Sequence, residues 1–218
     1  MDNPLLNQSL HAIRREYGSH ALDHEHYLDA PMLKAQHWLE EAIQHEEMDP
    51  NAMVLSTVDA KGFPDARVVL LKEISDQGFV FFTHYDSAKG YQLEQHPYAA
   101  LTFFWPKLIR QLRVRGSVHK INHQESERYF QSRPRLSQVG AVISAQSQPI
   151  ASRDQLVQAF NQFQEKHAHQ TIDCPSTWGG YRVQPLELEF WQGCDNRLHD
   201  RLHYSWTGQQ WQTQLLAP

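Results

Sequence analysis

Two guanidiniums and an imidazole crowd together near the C-terminus, as Arg197, His199 and Arg201 in the stretch FWQGCDNRLHDR from Phe190 to Arg201. Gly193, Asp195 and Asn196 are turn formers, and apolar Leu186, Leu188 and Phe190 lie upstream, which predicts a strand, a tight turn and a second strand. Side chains alternate along a strand, so Arg197, His199 and Arg201 share one face while Leu198 and Leu202 take the other. Cations so close repel one another unless an anion sits among them, and the planar fork of an arginine matches phosphate oxygens. A solvated edge strand guarded by its charges gives the same pattern.

Other cations recur within or just after apolar runs. Arg67 and Lys72 bracket Val68-Val69-Leu70-Leu71. Their odd separation sets them on opposite faces of a regular strand, so they serve two sites or a bulge intervenes. Lys89 follows Ser87 at an expected helix start, where backbone N–H groups also receive anions. Tyr129, Arg133 and Ser137 are spaced by four, so even across Pro134 a phenol, a guanidinium and a hydroxyl can converge on one phosphate. Singly, each reads as an ordinary surface group. Together they point to two phosphate-bearing ligands. The chain has no GxSxG elbow, P-loop, HExxH or GxGxxG, and neither Cys174 nor Cys194 lies in a nucleophile motif. His20, His24 and His26 lack a neighbouring cysteine to complete a metal pattern, and no metal is assigned. Cations and hydrogen-bonding groups without a nucleophile suit an organic cofactor that brings its own chemistry.

The elements that must position these groups are mostly strands. Strands are expected over Met53 to Val58, Ala66 to Ile74, Phe79 to Thr83 and Tyr98 to Trp105. From Ile109 to Ile121 the alternation is clear, with Leu112, Val114, Gly116 and Val118 opposite Gln111, Arg113, Arg115 and Ser117. Further strands are expected over Trp178 to Val183, Leu186 to Trp191, Arg197 to Trp206 and Gln210 to Leu216. Helices are expected over residues 5–17, from Pro31 with Met32, Ala35, Leu39, Ala42 and Ile43 inward, and over Ser87 to Gln95. Two more begin at the caps Asn122 and Ser152; the first ends near Ser132 before Pro134, and the second carries Leu156, Phe160 and Phe163 as its stripe. Short strands without long crossovers favour an antiparallel barrel with flanking helices, mainly β in an α+β chain, over a doubly wound sheet.

With 218 residues and no linker or repeat, residues 1–218 are expected to form one domain, with a helical segment over about 1–48. The balance of 20 Lys+Arg against 25 Asp+Glu argues against nucleic-acid binding through bulk charge. Two cysteines are too few for a disulfide framework, the N-terminus lacks a signal-peptide pattern, and no apolar stretch spans a membrane. A soluble cytoplasmic protein is expected.

At these residues the chain closely resembles the FMN-dependent pyridoxine (pyridoxamine) 5′-phosphate oxidases. The segments are RREY at Arg14 to Tyr17, RVVLLK at Arg67 to Lys72, SRPRLSQVGA at Ser132 to Ala141 and Gln146-Ser147. WGGYRV at Trp178 to Val183 and EFWQG followed by NRLHDR at Glu189 to Arg201 complete the set. The resemblance implies an FMN-binding split barrel working as a homodimer, with two FMN sites at the subunit interface. It implies FMN contacts from Arg67, Val68, Val69, Leu70, Leu71, Lys72, Phe82, Thr83, Lys89, Gln111, Gln146, Ser147, Trp191 and Arg201. Lys72, Tyr129, Arg133 and Ser137 match a clamp on the substrate phosphate. Arg197 and His199, the catalytic candidates, flank Leu198 over the pyridine ring, and Arg14, Arg15, Glu16 and Tyr17 match a segment covering the site. The implied reaction oxidises pyridoxine 5′-phosphate or pyridoxamine 5′-phosphate to pyridoxal 5′-phosphate. O2 is the acceptor, H2O2 forms, and the amine releases NH3. One departure stands out: the family's usual Ser-Arg-Lys is Ser87-Ala88-Lys89 here, which removes a cation expected to hold the FMN phosphate. Two other readings compete, a non-catalytic split-barrel flavin or haem binder and a pyridoxal 5′-phosphate carrier.

Overall fold

The computed structural model describes residues 29–45 and 47–218, together with Ala12, Gly18 and Leu22. Of the expected helix over residues 5–17 only Ala12, which is helical, and of residues 20–26, with histidines 20, 24 and 26, only Leu22, fall among the described residues.

Among these residues the strands form a nine-stranded antiparallel sheet with the order β2-β1-β5-β6-β7-β4-β3, and with β8 and β9 continuing from β7. The strands are β1 (Ala52–Val58), β2 (Pro64–Leu70), β3 (Glu73–Ser75), β4 (Gly78–His84), β5 (Tyr98–Trp105) and β6 (Arg110–Lys120). They are followed by β7 (Trp178–Gln192), β8 (Asp200–Trp206) and β9 (Trp211–Leu215). The sheet curls because its two ends are one stretch of chain. The Leu71 N–H still donates to Asn51 O beside β1 (2.8 Å), whereas the next N–H, of Lys72, donates to Val80 O on β4 (2.8 Å). The chain thus leaves one sheet edge and joins the other within two residues, making a split barrel with helices around it.

β7 is the second organising element. Its first half pairs with β4 and its second half with β8, while β6 runs along all of it. Sequence had suggested two strands broken near Pro185. One strand runs through instead, because Pro185 faces Gly116 where the β6–β7 register shifts, and a bulge tolerates a missing N–H. A Cβ on Gly116 would lie 2.0 Å from Gln184 O, so only glycine fits there.

Inward positions of the strands, among them Leu55, Phe81, Leu101, Phe103, Leu112, Val114, Leu188 and Phe190, fill the barrel. Helix α1 (Pro31–Gln44) closes over them through Met32, Ala35, Trp38 and Ala42. Ile43, expected inward, is exposed; the stripe runs through Trp38, whose ring meets Phe190 edge-on at 4.9 Å and Trp105 at 6.3 Å. A bulky aromatic sets the helix rotation, and the neighbouring isoleucine yields.

The other helices surround the start of β7. They are α2 (Ala88–Gln95), α3 (His123–Ser132), α4 (Arg135–Ile143) and α5 (Arg153–Lys166). The caps act as expected: Ser87, Asn122 and Ser152 side chains accept from the N–H groups of Gly90 (3.3 Å), Glu125 (2.8 Å) and Gln155 (3.1 Å). Helix α4 was not expected. Pro134 ends α3, as its ring demands, but then serves as the N-cap of α4, accepting from Ser137 N–H at 2.8 Å. Arg133 sits extended between the two helices. Phe130, Val139, Ala141, Ile172 and Trp178 form a second core beneath them, with Phe160 and Phe163 of α5 half-buried against it.

Candidate active site

A cleft of about 670 Å³ opens between β2, β4 and the α3–α4 pair. Its lining includes Arg67, Lys72, Lys89 and Arg133, together with Thr83, His84, Tyr129, Ser137 and Gln146, and no Asp or Glu. Lys72 and Arg67 reach the same cleft although five residues separate them. The change of partner between Leu71 and Lys72 supplies the irregularity that their odd spacing required.

Lys89 is 8% exposed. Its Nζ donates to Gln146 Oε1 (2.8 Å) and lies 3.3 Å from Thr83 Oγ1 and 3.4 Å from Ser87 Oγ. Thr83 donates to the same Gln146 oxygen at 2.9 Å, tying the loop after α4 to β4. Burial, reinforced by the Arg67 charge, lowers the Lys89 pKa to about 8. Arg67 is itself engaged by Thr57 Oγ1 (2.6 Å), Gln92 Oε1 (3.2 Å) and an ion pair with Asp65. The Gln92 amide, which donates to Asp65 at 3.0 Å, is the main cause of that carboxyl's lowered pKa.

On the other wall the rings of Tyr129 and Phe82 stack at 3.9 Å, and Trp178 lies nearly parallel to both. Arg133 rests on Trp178, 4.9 Å from Cζ to ring centroid, and its Nη1 is buried with no hydrogen-bond partner. Burial raises the Tyr129 pKa and lowers those of Arg133 and His84, with Lys89 and Arg133 adding to the effect on His84. An unpartnered buried guanidinium N–H, on an arginine that lines an acid-free cleft, fits an anionic group.

The arginine–histidine stretch is arranged differently from the expected strand. Residues 195–197 form a short turn in which Asn196 and Arg197 take left-handed φ values of 56° and 61°, and β8 starts only at Asp200. Strand alternation therefore does not govern Arg197 to His199, and Leu198 is exposed. The His199 ring packs 4.7 Å from Trp191, and its Nδ1 accepts from Cys194 N–H at 3.1 Å. A neutral imidazole so held carries its proton on Nε2. The anion beside Arg201 is internal: Glu189 meets its Nε at 3.0 Å and Nη2 at 2.9 Å, and Ala217 O accepts from Nη1 at 2.8 Å. Glu189, buried, also holds Arg113 at 3.1 Å. Gly18 N–H donates to Asp195 (2.6 Å) and Leu22 N–H to Asp200 (2.9 Å).

The expected site residues thus fall into two groups. Arg67, Val68, Val69, Leu70, Lys72, Phe82, Thr83, Lys89, Gln146, Tyr129, Arg133 and Ser137 line the cleft. Leu71 faces the barrel core, and Ser147 (φ 70°) follows Gln146 outside the lining. Gln111, Trp191 and Arg201 form one cross-strand row on β6, β7 and β8, with Arg197, Leu198 and His199 at its end, and none of these lines the cleft. Arg14, Arg15, Glu16 and Tyr17 lie outside the described residues. Sequence reasoning missed Trp178, Asp65, His84 and Glu189. Trp178 and Glu189 were visible only within expected strands and the segments that carry the resemblance, and Asp65 and His84 gave no signal.

Comparison with known proteins gives a consistent picture. The family described as "Pyridoxamine 5'-phosphate oxidase" matches residues 39–167, and a "Pyridoxine 5'-phosphate oxidase C-terminal dimerisation region" matches residues 178–218. The chain is 49% identical over 211 residues to a pyridoxine/pyridoxamine 5'-phosphate oxidase of Legionella pneumophila (strain Paris), covering 97% of this chain and 98% of that one. It is 48% identical over 210 residues to the protein of that name from Acaryochloris marina, covering 96% of each. Among solved structures, PhzG from Burkholderia lata 383, in complex with tetrahydrophenazine-1-carboxylic acid, superposes with a TM-score of 0.87 at 26% identity, over 92% of this chain and 100% of that one. An FMN-binding, pyridoxamine 5'-phosphate oxidase-related protein of Nostoc punctiforme shares the fold, with a TM-score of 0.71 at 18% identity over 87% of this chain and 98% of that one.

Proposed function

The chain belongs to the pyridoxamine 5'-phosphate oxidase family, and on that premise we propose that it makes pyridoxal 5'-phosphate from pyridoxine 5'-phosphate or pyridoxamine 5'-phosphate with bound FMN. The observation that carries this reading is the cleft itself. Four cationic side chains line it without a carboxylate, and one of them, Arg133, has a buried N–H left over. Lys89, Thr83, Gln146 and Arg67 would hold the FMN phosphate, and Lys72, Tyr129, Arg133 and Ser137 the substrate phosphate. FMN when bound supplies the two-electron acceptor that takes hydride from the substrate's 4′ carbon and passes its electrons to O2 as H2O2. Losing a proton as well, the alcohol would become the aldehyde directly, and the amine would become an imine that adds water and releases NH3.

The chain's own residues supply orientation and electrostatics. Grip on the phosphate is remote binding energy that fixes the 4′ carbon. Arg197 would lie over the ring, and His199, its Nδ1 already occupied by the Cys194 N–H, has Nε2 as the atom to hold or give a proton. The Gln111–Trp191–Arg201 row lies away from the cleft within one protomer, which supports a homodimer in which each cleft is completed by its partner's row.

The test is anaerobic: reconstitute the protein with FMN, add pyridoxine 5'-phosphate, and follow the visible flavin absorbance. Bleaching that reverses on admitting air is expected. A protein that stays yellow would refute the substrate assignment and leave a flavin binder. Bleaching by a reduced aromatic carboxylic acid alone would reassign the clamp to a carboxylate.

A further inference from the structure

Several arginines of the described fold are paired with acids. Arg67 has Asp65, Arg110 has Glu41, Arg115 has Glu187 at 2.9 Å, and Arg201 has Glu189. Arg133 is held by rings instead: its Cζ lies 4.9 Å from the Trp178 centroid and 5.9 Å from that of Phe130, and no described acid pairs with it. The difference has a chemical consequence. An anion arriving at an ion-paired guanidinium must displace or share it with a carboxylate. A guanidinium resting on an aromatic face is oriented by the ring quadrupole and keeps its full charge for the ligand.

The same indole supports the phenol. Trp178 lies 4° from parallel to Tyr129 and 16° from parallel to Phe82, and Phe82 stacks on Tyr129 at 3.9 Å. Trp178 is 4% exposed, fixed by its place at the start of β7 opposite His84. It can therefore act as a rigid plate from which two polar groups of the clamp are aimed.

We propose that Trp178 is a positioning residue of the phosphate clamp, orienting Arg133 directly and Tyr129 through Phe82 while leaving the arginine's charge unneutralised. The role assigned to the clamp rests on the function proposed above.

Equilibrium binding separates the two ideas, because it needs no turnover. Trp178→Leu should raise the Kd for pyridoxal 5'-phosphate by about 3- to 30-fold, the range expected for a lost cation–π contact. In an Arg133→Ala background the same substitution should add a smaller loss than it causes alone, only the part that acts through Phe82 and Tyr129, since the indole then has no guanidinium to aim. Tri-fluorinated tryptophan placed at position 178 thins the negative ring face at almost constant shape. It should weaken pyridoxal 5'-phosphate binding while leaving the melting temperature unchanged, which covers the case in which Trp178→Leu does not fold. Unchanged affinity in the fluorinated protein, or fully additive losses in the double variant, would overturn the proposal. A wild-type protein that binds pyridoxal 5'-phosphate through Trp178 and Arg133 yet never bleaches would instead overturn the oxidase reading alone. One that does not bind it at all would overturn both.

Discussion

Lys89 carries the most pH-sensitive charge of the cleft. Burial and Arg67 lower its pKa to about 8, and an arriving phosphate raises it again. The bound-state pKa therefore lies above the free-state one, so affinity is complete below about pH 8 and is lost as pH rises beyond it. The expected FMN titration is flat below that point and weakens by up to about tenfold per pH unit above it. Lys89→Arg should remove the inflection, and an inflection that persists in the variant would assign it to another group. The adjacent Ala88 is exposed at the first residue of α2, where the resemblance leads one to expect arginine. Restoring it should tighten FMN binding by roughly tenfold, the worth of one charge-assisted hydrogen bond. Flavin fluorescence quenching measures both, and an unchanged Kd for Ala88→Arg would mean that an arginine there does not reach the FMN phosphate.

At the level of elements, Trp38 is the bulkiest of the buried side chains that dock α1. Trp38 meets Phe190 and Trp105 edge-on and carries the Arg110 guanidinium on its face at 4.7 Å. Trp38→Ala should cost about 3–5 kcal/mol of unfolding free energy, read as a lower denaturant midpoint. A loss below about 1 kcal/mol would mean that α1 docks through its other contacts. The sequence made some of this legible. Alternation from Leu112 to Val118 located β6, and Asn122 and Ser152 marked helix starts, because those signals are local. Tyr129, Arg133 and Ser137 were legible as a cluster through their spacing alone. What stayed hidden depended on distant partners. Lys72 turns into the same cleft as Arg67 only because its N–H finds Val80 across the barrel. Arg197 and His199 leave strand geometry because two consecutive residues adopt left-handed backbone, which alternation cannot reveal. Glu189 answers the charge of Arg201 from a neighbouring strand.

For the whole molecule, the outer face of the sheet is the informative surface. Phe104 of β5 is 62% exposed and pairs across to Gln111, extending the row that ends at Trp191 and Arg201. Val54, Val68 and Leu70 are exposed on the neighbouring strands. Apolar side chains in such a row need a partner, so Phe104→Asp should shift the sedimenting species from dimer to monomer and lower flavin content with it. A variant that remains dimeric would place the interface elsewhere.

β7 begins at Trp178 beside the cleft and carries Trp191 at its far end, about 40 Å away along an extended strand. In the proposed homodimer, a rod of that length would assign the two ends of one chain to two different cofactors. Damage at either end then behaves like a genetic lesion that another allele can rescue. Protein inactivated at Arg133 and protein inactivated at Arg197, each dead alone, should regain about one quarter of wild-type turnover when their subunits are exchanged in equal amounts, because half the dimers would be mixed and each mixed dimer would hold one undamaged centre. Two alleles that both fail at the same end should never rescue each other.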